Sequence, residues 1–177
     1  NPLPAAITGT PTVCIGYTTT LADATGGGTW ISTSTGIATV GSTTGVVTGI
    51  SAGTSTISYR LTATGCAATT LVTVNALPAA IGGTRTVCVA NTTTLTDATT
   101  GGTWTSSNTA IATVRSTSGV VTGVAAGTST ITYTAGGCYV IAVVTVNASP
   151  AAISPPGGST ICIGTTLSLT DATPGGI

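Results

Sequence analysis

Histidine, lysine, glutamate, glutamine, phenylalanine and methionine are all missing from this sequence of 177 residues, and charged side chains make up only 3% of it. An ordinary globular domain carries about 25%. The whole charge inventory is Arg60, Arg85, Arg115, Asp23, Asp97 and Asp171, which sum to zero. Without His, Lys or Glu there is no base to activate the many Ser and Thr hydroxyls, so the reading is non-enzymatic. Three scattered Arg cannot neutralise a row of phosphates, which excludes nucleic acid as a main partner. The longest apolar run, 139 to 144, falls far short of the roughly 20 residues of a spanning helix, so no transmembrane segment is expected. No cofactor is expected either.

What is present repeats itself. Thr12-Val13-Cys14-Ile15 returns as Thr86-Val87-Cys88-Val89 and again as Thr160-Ile161-Cys162-Ile163, each 74 residues on. The same offset carries Trp30 to Trp104, Tyr59 to Tyr133, and Asp23 to Asp97 to Asp171. A fixed period of this length means an array of like units. The units are read as 1–75, 76–147 and a partial third over 148–177, joined by short proline-stiffened linkers, Ala-Leu-Pro from 76 and Ala-Ser-Pro from 148. Asn1-Pro2-Leu3-Pro4 has no basic start or apolar stretch of a secretory leader, and the third unit breaks off at Ile177 before its Trp position. The expectation is an interior piece of a longer array, or strands completed by another molecule.

Within each unit, short Thr- and Val-rich runs bounded by Gly recur, and no stretch carries apolar residues at helical period. The fold class is all-β, with tandem immunoglobulin-like sandwiches of about seven strands. In the second unit the strands fall near 85–89, 92–97, 103–106, 110–114, 119–124, 128–134 and 138–146. Alternation places Ser129, Ile131 and Tyr133 on one face and Thr130 and Thr132 on the other. The expected core is Leu95, Trp104, Ile111, Val114, Val121, Val124, Ile131, Tyr133, Val140, Val144 and Val146. In the first unit it is Leu21, Trp30, Ile37, Val40, Val47, Ile50, Ile57, Tyr59, Val72 and Val74. The Thr rows serve as an uncharged, hydrated outer face that favours strand.

A unit of about 74 residues is marginal by itself, and the cysteines are the natural staple. Pairing within units joins Cys14 to Cys66 and Cys88 to Cys138, first strand to last, one disulfide per repeat. Each bond is worth roughly 4 kcal/mol in the chain-entropy treatment. Cys162 would then find its partner outside this chain segment. Zinc competes for the same thiols, but the sequence has no His and no closely spaced Cys pair. Disulfides imply an oxidising compartment, hence an extracellular or cell-surface location.

Trp104-Thr105-Ser106-Ser107-Asn108, Ala110-Ile111-Ala112-Thr113-Val114 and the run Gly119 to Ile131 resemble the bacterial immunoglobulin-like domain of group 2. Trp30-Ile31-Ser32, Ile37-Ala38-Thr39-Val40 and Gly45 to Thr54 repeat the likeness in the first unit. The family is that of intimin- and invasin-type tandem repeats in large secreted surface proteins. The disulfide pair with its Thr-Gly-Gly-Thr-Trp run is similar to repeats of the Bacteroidota. The resemblance implies secretion and a role as stalk, spacer or adhesin, and it brings no catalytic residues.

Other candidates have plainer readings. Asp23, Asp97 and Asp171 suit an Asx-turn better than a calcium site, which wants six to eight oxygens. Trp30, Trp104, Tyr59 and Tyr133 read as core markers rather than sugar platforms. Asn91 and Asn147 head N-x-[ST] triplets of the kind that arise by chance in a Thr-rich chain. O-glycosylation and glycan binding stay open. Tyr139, Ile141 and Val143 would turn outward from the last strand of the second unit, opposite an apolar inner row, and a strand apolar on both faces is usually covered on both. They are the candidate assembly contact. The unit-one counterparts, Ala67, Thr69, Leu71 and Thr73, are far less apolar.

Zero net charge and strand edges without Lys favour self-association. The leading functional expectation is a structural fibre, filament or stalk of the cell exterior, with strand exchange by 153–169 as one route to assembly. Three Arg would leave trypsin little to cut. A carbohydrate- or host-protein-binding adhesin is the alternative. It would call for unlike loops, and 24–29 and 98–103 are nearly alike. Ice binding usually uses much shorter repeats.

Overall fold

The computed structural model describes residues 3–151 and 162–169. Two β-sandwiches follow one another. The first is built from β1 (Thr8–Gly9), β2 (Thr12–Cys14), β3 (Thr18–Ala22), β4 (Gly28–Ser32), β5 (Ala38–Val40), β6 (Val46–Gly49), β7 (Gly53–Leu61) and β8 (Ala67–Asn75). The second repeats the plan with β9 (Gly82–Gly83), β10 (Thr86–Cys88), β11 (Thr92–Thr96), β12 (Thr103–Ser106), β13 (Ala112–Val114), β14 (Val120–Gly123), β15 (Gly127–Ala135) and β16 (Cys138–Asn147). Among the described residues there is no helix.

Each sandwich packs two four-stranded sheets, ordered β1-β3-β6-β5 against β2-β8-β7-β4, and β9-β11-β14-β13 against β10-β16-β15-β12. The expected single opening strand is broken in two. Its first piece pairs antiparallel in one sheet, Thr8 opposite Ala22. Its second piece crosses to the other sheet and pairs parallel with the last strand, Cys14 opposite Asn75. The crossing falls at Pro11, whose nitrogen has no hydrogen to give a ladder and whose carbonyl accepts from the Thr73 amide at 2.9 Å. In the second sandwich Arg85 takes that place, its carbonyl bonded to the Thr145 amide at 2.8 Å.

Period-two alternation fills the space between the sheets. In β15, Ser129, Ile131 and Tyr133 are buried while their neighbours are not. The two cores are separate clusters: Val13, Leu21, Trp30, Ala38, Val47, Ile57, Tyr59, Leu61, Val72 and Val74 in the first, and Ile81, Val87, Leu95, Trp104, Ala112, Val121, Ile131, Tyr133, Ala142, Val144 and Val146 in the second. Ile37, Val40, Ile111, Val114 and Val140 pack partly buried at their margins. Trp30 lies against Tyr59 at 4.9 Å between ring centroids, and Trp104 against Tyr133 at 4.6 Å. The buried Ser129 hydroxyl is satisfied by Ser106 Oγ at 2.9 Å and by the Asn108 amide at 3.1 Å.

Ile50 and Val124, expected in the cores, are 47% and 45% exposed. The pleat explains the difference. Val47 and Gly49 point inward on β6, so the residue after Gly49 points out. The inward place is a glycine in both sandwiches because nothing larger fits. A Cβ on Gly123 would lie 2.6 Å from the Cys88 carbonyl oxygen and 2.9 Å from Val146.

Candidate functional site: the junction between the sandwiches

The Asp-Ala-Thr loops are clamps. Asp97 Oδ1 accepts from the Thr99 amide at 2.7 Å, which is an Asx-turn, and Thr99 Oγ1 accepts from the Ala79 amide at 2.9 Å. The Tyr133 hydroxyl donates to the Thr99 carbonyl and accepts from the Gly102 amide. Asp23, Thr25, Ala5 and Tyr59 reproduce the arrangement in the first sandwich. Oδ2 of each Asp is buried without a partner. One carboxylate oxygen is far from the six to eight that calcium takes, and no three metal-binding side chains gather among the described residues. Asp171 lies outside the described residues, as does most of the 153–169 stretch considered for strand exchange.

The cysteines correct the sequence reading. Cys14 is bonded to Cys138 of the other sandwich, with Cα atoms 5.8 Å apart and a sequence separation of 124. Cys66, Cys88 and Cys162 are free thiols, Cys162 exposed and the other two half-buried. Pairing within a unit fails because of strand direction. Opening and closing strands are neighbours, as expected, but they run parallel, and Cys14 sits opposite Asn75 at the far end of β8. Cys66 immediately precedes that strand at its other end. Nine residues of strand at about 3.3 Å each separate them by roughly 30 Å, and a disulfide tolerates about 7 Å. Cys88 stands opposite Asn147 at the far end of β16, which Cys138 begins. Each sandwich therefore holds one cysteine at each end. The expected one bond inside each repeat is replaced by one bond between the two sandwiches.

Around that bond the two sandwiches touch. The β15–β16 hairpin returns to the end of the first sandwich, where Asn75 Nδ2 donates to the Gly136 carbonyl at 3.0 Å. Tyr17 and Tyr139 lie 6.1 Å apart between ring centroids. The Tyr139 phenol, first through its hydrogen bond and then through like charge, holds the Tyr17 phenol above the ordinary tyrosine value. A mainly apolar groove of about 400 Å³ runs along the seam, lined by Tyr17, Leu77, Ile81, Arg85, Tyr139 and Ile141. Of the candidate contact row, Tyr139 thus meets the first sandwich. Ile141 and Val143 are 57% and 52% exposed. Sequence reasoning missed Tyr17 and Asn75 as junction residues. The signal available was that Tyr17 and Tyr139 have no counterpart 74 or 72 residues away.

Residues 68–139 match the family described as bacterial Ig-like domain (group 2). Over these residues the chain is similar to a bacterial group 2 Ig-like domain. The match takes in most of the last strand of the first sandwich and ends just inside the last strand of the second. Among solved structures, the Ig-like chain is similar to a C-terminal fragment of intimin in complex with the intimin-binding domain of its translocated receptor. That likeness has 20% identity and a TM-score of 0.52, over 88% of this chain and 67% of that one. It shows the fold. Domains 4 and 5 of the S-layer protein SbsC align at 25% identity and a TM-score of 0.39, over 82% and 99% of the two chains. A SusE-like surface polysaccharide-binding protein of Bacteroides thetaiotaomicron aligns at 13% and 0.41, over 82% and 34%. No curated protein sequence matches the chain. No helix among the described residues is long and apolar enough to cross a membrane.

Proposed function

We propose that this chain is part of an extracellular structural protein, a tandem array of Ig-like units over 1–75, 76–147 and a partial third over 148–177, in which each unit is stapled to the next to make a surface fibre or stalk. The observation that carries the reading is the Cys14–Cys138 bond. A disulfide inside a domain stabilises that domain, whereas one between domains fixes their relative orientation. Here a short linker already joins the sandwiches at Asn75, so the bond adds a second tether at the same seam and opposes bending. Tyr17, Tyr139 and the Asn75 amide fill the space between the two tethers. Disulfides persist in oxidising compartments, which supports a place outside the cell. Near-zero charge and hydroxyl-rich outer faces suit a passive spacer.

Small-angle scattering with electron microscopy of the purified chain, oxidised and reduced, tests the reading. The oxidised chain should give one narrow distribution of inter-sandwich angles and the reduced chain a broad one. Equal breadth in both states would remove the stalk reading, because the bond would then not govern stiffness.

A further inference from the structure

We infer that Cys88 is one half of a second seam within the same chain, and that its partner is the hairpin cysteine of the unit that follows, the residue standing in a complete third unit where Cys138 stands in the second. The inference rests on the stalk reading and deepens it into a pairing rule. The opening-strand cysteine of each unit passes over the opening-strand cysteine of the next and takes its hairpin cysteine.

The first sandwich contributes three things to the observed seam: Cys14, the turn behind it, and Asn75. The second sandwich carries all three at its other end. Cys88 lies opposite Asn147 as Cys14 lies opposite Asn75. The next amide along, Val89 or Ile15, bonds that Asn carbonyl at 2.9 or 3.0 Å. The turn closes in the same way, Asn91 amide to Cys88 carbonyl at 3.1 Å and Tyr17 amide to Cys14 carbonyl at 3.0 Å. Its middle residue is Gly16 at φ +79° in the first sandwich and Ala90 at φ +66° in the second. A left-handed conformation is easy for glycine and strained for alanine. Such strain persists only where the surroundings impose it, so the second sandwich holds its cysteine in the bonding arrangement at a cost. The exposed Asn147 stands ready to donate to a hairpin carbonyl as Asn75 donates to Gly136.

The path of the chain supplies the occupant. Asn75-Ala76-Leu77-Pro78 leads from beside Cys14 into the second unit, and Asn147-Ala148-Ser149-Pro150 leads from beside Cys88 into the third. The following unit is thus delivered to the end that carries Cys88. The other cysteines do not fit. Cys66 begins at the far end of the first sandwich, two sandwich lengths away. Cys162 is an opening-strand cysteine 74 residues beyond Cys88, in the relation that Cys88 itself has to Cys14, and Cys14 takes Cys138 instead. Asn91 in the place of Tyr17 leaves this seam without the paired rings, so the bond and the Asn contact hold it. Formation of the bond removes two protons and two electrons from the thiols. A small-molecule disulfide such as oxidised glutathione accepts them and leaves as two thiols.

The test completes the third unit. One chain is 1–177 followed by a copy of 104–147, which continues the repeat from Ile177. A second is 1–147 followed by a copy of 76–147 with its copied Cys88 replaced by Ser, so that every segment is one whose fold is described. Both are refolded with glutathione disulfide, denatured without reductant and cut with trypsin. Cleavage after Arg60, Arg85, Arg115 and the copied Arg residues places Cys14, Cys66, Cys88, the original Cys138 and the copied Cys138 in five different peptides. Most of peptide 86–115 should be joined to the final peptide, the copied 116–147, and Cys88→Ser should leave that final peptide unlinked. The bond in either chain supports the inference. A Cys88 that stays a thiol in both, or that joins 61–85 or the peptide of the original Cys138, would overturn it. Peptide 1–60 should be joined to the peptide of the original Cys138 in every sample. Their separation would remove the stalk reading itself, whatever Cys88 does.

Discussion

The last strands of the two sandwiches, β8 and β16, keep the same inward pattern and differ outside it. Val72 and Val74 match Val144 and Val146, all buried to the same degree. On the outer face Ala67 and Thr69 give way to Tyr139 and Ile141. The hairpins ahead of them differ too, since the first is two residues longer. Cys138 is fully buried by the first sandwich, whereas its counterpart Cys66 is half-exposed. The core of each unit answers only to its own sheets, and so it repeats. What varies lies where one unit meets another.

The sharpest way to break the comparison is to remove the bond that makes the two ends unlike. In the chain-entropy treatment a closed loop of 124 residues is worth about 5 kcal/mol, shared between two sandwiches that have separate cores. Cys14→Ser should lower the melting of both halves in calorimetry. Cys66→Ser should stay within about 0.5 kcal/mol of the parent, as a surface change does. Equal effects from the two variants would mean that Cys14–Cys138 is not the bond that forms.

A second variant tests whether the cores are independent. Trp104 is buried against Tyr133, and truncating such a side chain costs about 3–5 kcal/mol. In the reduced chain, Trp104→Ala should shift one calorimetric transition strongly and leave the other, built on Trp30 and Tyr59, in place. A joint shift of both transitions would make the two sandwiches one cooperative unit.

The all-β class, the strand positions and the inward Trp and Tyr were legible because period-two alternation and glycine punctuation are local signals. The bonding of the cysteines was not. It depends on whether β2 runs with or against β8, and no residue within either strand encodes that direction. Reading them as neighbours was right, and reading neighbours as close at their cysteines was wrong, because a parallel pair puts the end of one beside the end of the other. Ile50 and Val124 misled for a smaller reason. They follow a glycine that holds the inward position, and an apolar residue beside an inward glycine imitates a core residue. The junction was hidden because Tyr17 and Tyr139 gain meaning only when a second unit is placed against the first.

The smallest expected effect concerns that aromatic pair. Tyr17 holds its proton more tightly at the seam than a free tyrosine does, through Tyr139. The linkage sign follows: a phenol whose value is raised by folding contributes stability in full below the ordinary tyrosine value, and the contribution is lost as pH rises through the raised one. The equivalent positions in the other sandwich, Asn91 and Ala67, have nothing to titrate. The Tyr17 ring resonance, followed by NMR against pH, should therefore move later than that of an unstructured tyrosine, and Tyr139→Thr should bring it back to the ordinary range. If the variant left the Tyr17 titration where it was, the contact across the seam would not be what sets it, and the two sandwiches would be joined there by the disulfide and linker without help from the rings.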